Sequence, residues 1–287
     1  MAMAENTYSV VQLSSWTDYK KFISKLSDNW AFRGQSSAAW QLQNAIERTD
    51  FIHFYKGVEA DFLAEFQRGA RNYLNKDETP EHIIEWLALM QHHGAPTRLL
   101  DFSKSPFIAA YFAFEQCMVK EDHQVAIWAI NIDYLRERAL EVIADELAED
   151  LKLNENLFNE RLFQKIFFTN NRNLVFPVEP FRMNRRYSLQ QSIFVSTGTS
   201  DEPFMKQLAF LGDAIAQAVI KIEVSSLHQK EVLRDLQKMN LHRASLFPDL
   251  DGYALSLKLR YNSMKTPDEL NQEQENLRTD ENFDFLP

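Results

Sequence analysis

The sequence predicts an α+β fold, with a central mixed, partly antiparallel sheet flanked by helices. Three observations support this. Five apolar segments, near Trp30, Val125, Leu174, Ile193 and Val219, have the length and side-chain types of strands. Between them lie longer segments whose apolar residues recur at three- and four-residue steps, as on amphipathic helices. Seven glycines in 287 residues are few for a large all-β fold, which needs many tight turns. Apolar residues make up 45% of the chain and phenylalanine alone supplies 22 positions, enough for a sizeable core.

Taken in order, Thr7 to Leu13 alternates weakly and suits a short strand. Ser15 then opens a helix through Leu26, with Phe22, Ile23 and Leu26 on one face. In Asn29-Trp30-Ala31-Phe32-Arg33-Gly34-Gln35, Trp30 and Phe32 alternate as on a half-buried strand, which turns Arg33 to the opposite side. Gly34 lets a ligand or another backbone come close. Arg33 reads either as a surface or structurally paired arginine or as an anion clamp. Trp40 and Leu42 suggest a further extended piece, with Asn44 and Arg48 beyond. Lys56 to Tyr73 carries Val58, Phe62, Phe66 and Ala70 at four-residue steps, a long amphipathic helix.

The most informative stretch is Gln91-His92-His93-Gly94-Ala95-Pro96-Thr97-Arg98-Leu99-Leu100-Asp101-Phe102-Ser103. It places His, Thr, Arg, Asp and Ser between two apolar helices. The first runs from Glu81 to His93, with Gly94 suited to a left-handed C-terminal cap. Pro96 then forbids helix continuation. The second helix, Phe107 to Cys117, is opened by Ser105 as N-cap and Pro106 at the first helical position. The polar run is therefore a loop or short strand held by a rigid scaffold, where chemistry tends to sit. His92 and His93 either satisfy the helix end and its dipole or serve a site. No third metal ligand lies at suitable spacing, so no metal is expected.

Gln124 to Ile132 is a continuously apolar, buried strand, and Asp133 to Leu153 a charged helix with a solvated acidic face. Leu157 to Phe168 suits another helix. Pro177 makes Leu174–Val178 edge-like. A basic turn from Arg182 feeds a segment bearing Gln190 and Gln191, then the strand Ile193 to Ser196. Ala218 to Val224 alternates cleanly. Ser225 or Ser226 caps a helix to Met239, Leu246 to Gly252 makes a turn, and Tyr253 to Tyr261 has helical spacing. Residues 1–262 are expected to form one domain. Residues 263–287 are acidic and poor in apolar side chains until Phe283, Phe285 and Leu286, and are expected to be a disordered tail.

Composition narrows the function classes. The net charge of −10 disfavours broad wrapping of nucleic acid but leaves room for a local basic pocket. A single cysteine, Cys117, excludes an internal disulfide and reads as an inert core thiol. No signal-like segment opens the chain and no apolar run approaches ~18 residues, so the chain is read as cytoplasmic and without a membrane contact.

Three stretches together resemble the FRG domain, a bacterial and phage-associated family named for its Phe-Arg-Gly signature. They are Phe32-Arg33-Gly34-Gln35, the run from Gln91 to Asp101, and Leu246-Phe247-Pro248-Asp249-Leu250-Asp251-Gly252. Arg186 and Gln190 before Phe194 fit the family's Arg-Gln-Phe pattern, with Ser192 where a glycine is usual. The resemblance covers about residues 8 to 261. More distantly, the chain resembles mono-ADP-ribosyltransferases of the Arg-Ser-Glu type. Arg33-Gly34 looks like their first element, and Phe102-Ser103 with Ala109-Ala110-Tyr111-Phe112-Ala113 like their second. Their third element supplies a glutamate, and Gln190 stands in its place here.

The resemblance implies an ADP-ribosyltransferase-like fold and NAD as substrate, in a bacterial effector or toxin of anti-phage defence or toxin–antitoxin systems. The acceptor would be a protein or nucleic acid, and an antitoxin or other partner protein is implied. The catalytic candidates are Arg33, His92, Ser103 and Gln190; the cofactor-binding candidates are Arg33, Gly34, Gln35, Thr97, Arg98, Asp101 and Arg186. In these roles Arg33 clamps pyrophosphate or ribose oxygens, and Arg98 is a second cation or pairs with Asp101. His92 and Thr97 bond ribose hydroxyls, Ser103 braces the nicotinamide side, Gln190 positions an acceptor, and Arg186 meets the acceptor or structures its turn. Asp249 and Asp251 read as turn formers. A nucleotide-sensing or protein-binding module without turnover is the competing reading, and a nuclease the third.

Overall fold

The strand Gln124–Asn131 shows how the sheet sits in the fold. Val125, Ile127 and Ala129 pack into one core, while Ala126, Trp128 and Ile130 pack into another, and all six are fully buried. A strand apolar on both faces needs a layer of helices on each side. The computed structural model supplies both layers. It describes residues 7–76, 79–147, 160–180, 182, 184–212 and 214–264.

The sheet has seven strands: β1 (Ser9–Leu13), β2 (Trp30–Gln35), β3 (Leu99–Ser103), β4 (Gln124–Asn131), β5 (Val175–Val178), β6 (Ser192–Thr197) and β7 (Val219–Ser225). Their order is β1-β7-β4-β2-β3-β6-β5. Only the β1–β7 pairing is parallel, so the sheet is mixed and mostly antiparallel. β5 lies at an edge, where Pro177 costs no interior hydrogen bond.

Helices Trp16–Ile23, Pro106–Phe114 and Gln229–Lys238 cover one face. Helices Val58–Ala70, Ile83–His92, Ile132–Leu147 and Glu160–Thr169 cover the other. Their local signals are the expected ones. Ser15 caps Asp18 N, Ser105 caps Ile108 N with Pro106 at the first helical position, and Gly94 follows Ile83–His92 at φ 84°. Among the described residues no helix is long and apolar enough to cross a membrane.

Three expectations change. The turn expected over Leu246 to Gly252 is instead the junction of two helices, Arg243–Leu246 and Leu250–Met264. The piece around Trp40 and Leu42 is no strand: Leu42 is buried while Trp40 stands 53% exposed, and the loop is tied to the sheet through Ala38 N donating to Gln124 O. The helix expected to reach Cys117 ends at Phe114, with Glu115 as its cap. Cys117 is buried, and burial pushes its thiol up to about 11, as suits an unreactive core residue. The helix expected to run to Leu153 is described through Leu147, and its remaining residues, like 265–287 of the expected tail, lie outside the described residues.

One buried ion pair ties the helical layer to the sheet. Arg98 and Glu59 are 2% and 0% exposed. Arg98 Nε donates to Glu59 Oε2, and Arg98 N donates to Glu59 Oε1 at 2.6 Å. The guanidinium also reaches Gly198 O and Asn170 Oδ1 and lies 4.6 Å above the Phe167 ring. Removing one partner strands a buried charge. Glu59→Ala is therefore expected to cost about 3–5 kcal/mol and to lower Tm by roughly 6–20 °C in a thermal melt.

Candidate functional site

The sheet opens where β2 meets β3. β2 pairs with β4 along its whole length, from Trp30↔Asn131 to Gln35↔Ala126, but with β3 only at Phe32↔Ser103. Beyond that pair the strands part. Arg33 spans the gap, its Nη1 donating to Asp101 O at 2.7 Å. Gly34 is needed for another reason. A Cβ there would collide with the Ala109 carbonyl oxygen and lie 2.5 Å from Ala113 N, so the helix Pro106–Phe114 can cross β2 only against a glycine. Ala109, Ala110 and Ala113 are fully buried, which makes this Ala-rich run a close-packing surface.

A cavity of about 440 Å³ occupies the opening. Of the residues singled out from sequence, Arg33, Gly34, Gln35, His92, Asp101, Ser103, Arg186 and Gln190 line it. They arrive from β2, β3, the end of the helix Ile83–His92 and the short helix Arg185–Leu189. Asn184 caps that short helix by accepting from Tyr187 N, and Gln191 at φ 47° turns the chain into β6.

Thr97 and Arg98 do not line the cavity. Arg98 is taken up by Glu59, so it is neither a second cation for a ligand nor the partner of Asp101. Thr97 is fully buried behind Gln91, and its Oγ1 donates to Gln91 Oε1 at 2.5 Å rather than facing a ribose. Gln91 Nε2 in turn donates to Asp101 Oδ2 at 2.6 Å. Gln35 reaches the cavity with its amide already engaged by Trp128 Nε1 and Gln41 O. Ser103 Oγ donates to Gln190 O at 2.7 Å, and Gln190 Nε2 donates to Leu246 O at 3.0 Å. Gln190 thus ties the end of the short helix Arg243–Leu246 to the body. Asp249 Oδ1 accepts from Gly252 N, so Asp249 caps the helix Leu250–Met264 rather than forming the expected turn.

Sequence reading missed several lining residues: Trp40, Arg48, Gln91, Phe112, Glu115 and Gln116. Phe112, Glu115 and Gln116 are spaced i, i+3, i+4, one helical face, and that pattern was open to view. Arg48 had no local signal, since a loop and the helix Ala45–Arg48 bring it to the site.

Electrostatically the cavity holds an excess of cations. Arg33, Arg48 and Arg186 face Asp101 and Glu115, and Glu115 is matched by Arg243 Nη1 at 2.5 Å and by the Tyr111 hydroxyl at 2.8 Å. Phe247 lies between two guanidinium groups, 4.5 Å from that of Arg186 and 4.3 Å from that of Arg243. Arg33 Nε, Arg186 Nε and His92 Nδ1 are buried without a hydrogen-bond partner. Burial lowers Arg33 to about 10, with Asp101 opposing and Arg48 adding to the shift, so it stays charged at neutral pH. Burial raises Asp101, against the pull of Arg33, Gln91, Arg186 and Arg48. Among the described residues no group of three or more His, Cys, Asp or Glu is arranged to hold a metal ion.

The FRG-domain family model matches residues 28–122. That span includes Arg33, Gln91, Asp101, Ser103 and Glu115 and stops short of Arg186, Gln190 and Phe247, which the fold brings to the same cavity. No curated protein and no solved structure matches the chain.

Burial holds His92 below its ordinary value of 6.5, with Arg186 and His93 adding to the effect and Asp249 opposing it. The folded state therefore resists a proton that the unfolded chain accepts, and stability falls as pH drops below that ordinary value. In Arg186→Ala the His92 titration followed by NMR is expected to move upward, toward 6.5.

Proposed function

We propose, from the premise that this chain carries an FRG domain, that its cavity binds NAD or a related nucleotide. On this reading the protein is an NAD-dependent ADP-ribosyltransferase-like effector or glycohydrolase of bacterial defence or toxin–antitoxin systems. Its acceptor is a macromolecule, and an antitoxin or other partner protein restrains it. The observation that carries the reading is the cavity wall itself. Three guanidinium groups, two of them with buried N–H groups lacking partners, share one pocket with Trp40, Phe112 and Phe247. Unpaired buried donors favour an anionic acceptor, and guanidinium groups match phosphate geometry. Aromatic faces suit the flat rings of a nucleotide.

The chemistry needs little covalent participation by the protein. As the C1′–N bond of NAD breaks, its electron pair leaves with nicotinamide and the ribose takes up positive charge. Water or an acceptor hydroxyl then bonds C1′ and gives its proton to solvent or a nearby base. Arg33, Arg48 and Arg186 hold the pyrophosphate, and Asp101 is the cavity carboxylate available to steady the charge, since Glu115 is already paired with Arg243. A second reading, nucleotide sensing without turnover, draws on Gln190. No glutamate stands at positions 190–192, and the Gln190 amide is spent on Leu246 O.

Incubation of the full chain with NAD, with chromatography for free nicotinamide, separates the two. The effector reading expects release, and the sensor reading expects binding alone. Under both, Arg33→Ala and Arg186→Ala are each expected to weaken NAD binding about 10- to 100-fold by calorimetry. Unchanged affinity in both variants, with unchanged melting, would overturn the nucleotide reading.

A further inference from the structure

The cavity contains two carboxylates held in different ways. Glu115 is neutralised, because Arg243 and Tyr111 both bond its Oε1. Asp101 bonds no cation directly: among the described residues no ion pair within 4.0 Å includes it, and its Oδ2 is fixed by the neutral amide of Gln91. Thr97 makes that amide directional. Its hydroxyl donates to Gln91 Oε1, so Gln91 must turn its NH₂ toward Asp101. Thr97 is fully buried, and Gln91 and Asp101 stand in front of it on the cavity wall. The backbone carbonyl of Asp101 is fixed as well, by Arg33 Nη1. A side chain anchored from both ends is oriented before any ligand arrives.

An ionised carboxylate offers acceptors only. It repels phosphate, so in a cationic cavity its partner must be a different part of the ligand, one that donates. On a nucleotide the donors near the phosphates are the ribose hydroxyls. We propose that Asp101, oriented by the Thr97–Gln91 pair, bonds a ribose hydroxyl and makes the cavity selective for ribonucleotides over deoxyribonucleotides and bare pyrophosphate. This rests on the nucleotide reading above and holds with or without turnover. Asp101 is the binding residue, and Gln91 and Thr97 are positioning residues. Arg33, Arg48 and Arg186 face the same carboxylate and hold the anionic part of the ligand beside it.

Calorimetry on the full chain with ADP-ribose, ADP, 2′,3′-dideoxy-ADP and inorganic pyrophosphate tests this. ADP and its dideoxy form share phosphates and base and differ only in hydroxyls; ADP-ribose adds a second ribose. A hydrogen bond to a charged group predicts a preference of about 10- to 100-fold for the added hydroxyls in one of the two comparisons. Asp101→Asn is expected to reduce that ratio to a few-fold while pyrophosphate affinity holds or rises. Thr97→Val is expected to lower the ratio and Thr97→Ser to restore it, a rescue that loss of packing alone does not produce. Equal affinity for all nucleotides, or the wild-type ratios persisting in Asp101→Asn, would overturn the selectivity and leave the nucleotide reading intact. If neither the nucleotides nor pyrophosphate bind the wild-type chain, the nucleotide reading falls and this role of Asp101 falls with it.

Discussion

Arg33 spans the point where two neighbouring strands stop pairing. β2 continues against β4 while β3 leaves it after Phe32↔Ser103, and the guanidinium crosses to the Asp101 carbonyl. A sheet that parts in mid-layer exposes backbone groups and creates a concave space lined from both strands. One side of that space is set by Gly34, which brings the helix Pro106–Phe114 against β2. The other is set by β3 and by the end of the helix Ile83–His92. The cavity thus follows from a sheet discontinuity that a half-buried arginine bridges.

The run from Gln91 to Ser103 divides its work between two sides of one wall. Gln91, His92, Asp101 and Ser103 face the cavity. Thr97 and Arg98 stand behind it: one orients Gln91, and the other locks β3 to Glu59 on the helix Val58–Ala70. The buried Arg98–Glu59 pair serves the site by keeping the wall in place, since a desolvated charge tolerates little displacement from its partner. Phe247, at the junction of the helices Arg243–Leu246 and Leu250–Met264, bounds the cavity in a comparable way. Gln190 bonds the carbonyl of Leu246, and Phe247 packs between Arg186, which lines the cavity, and Arg243, which pairs with Glu115.

Within a chain of net charge −10, such a pocket is a local reversal of sign. Low-dielectric walls around Arg33 and Arg186 concentrate that field, which favours anionic small molecules over extended nucleic acid. The cost of desolvating the guanidinium groups is visible in the lowered Arg33 and in N–H groups left unpaired.

The elements themselves were legible from sequence, because their signals are local. Alternation marked Val219–Ser225, apolar residues marked Trp30–Gln35, whose Ala31 is buried as fully as Trp30 and Phe32 on the other face, continuous apolarity marked Gln124–Asn131, and Ser15, Ser105 and Gly94 marked helix ends through their own hydrogen bonds and dihedral angles. The meeting of Arg33, His92, Asp101 and Gln190 at one cavity was likewise foreshadowed by three separated motifs. Sequence by itself determined where most of the strands and helices lie and which motif stretches supply the cavity wall. Only the tertiary structure decided that Arg98 pairs with Glu59, that Thr97 serves Gln91, that Gly34 answers to the Ala109 carbonyl, and that Arg48 and Glu115 join the site. Each of those depends on what lies across space from a side chain, and a hydrogen-bond partner tens of residues distant leaves no trace in local patterning.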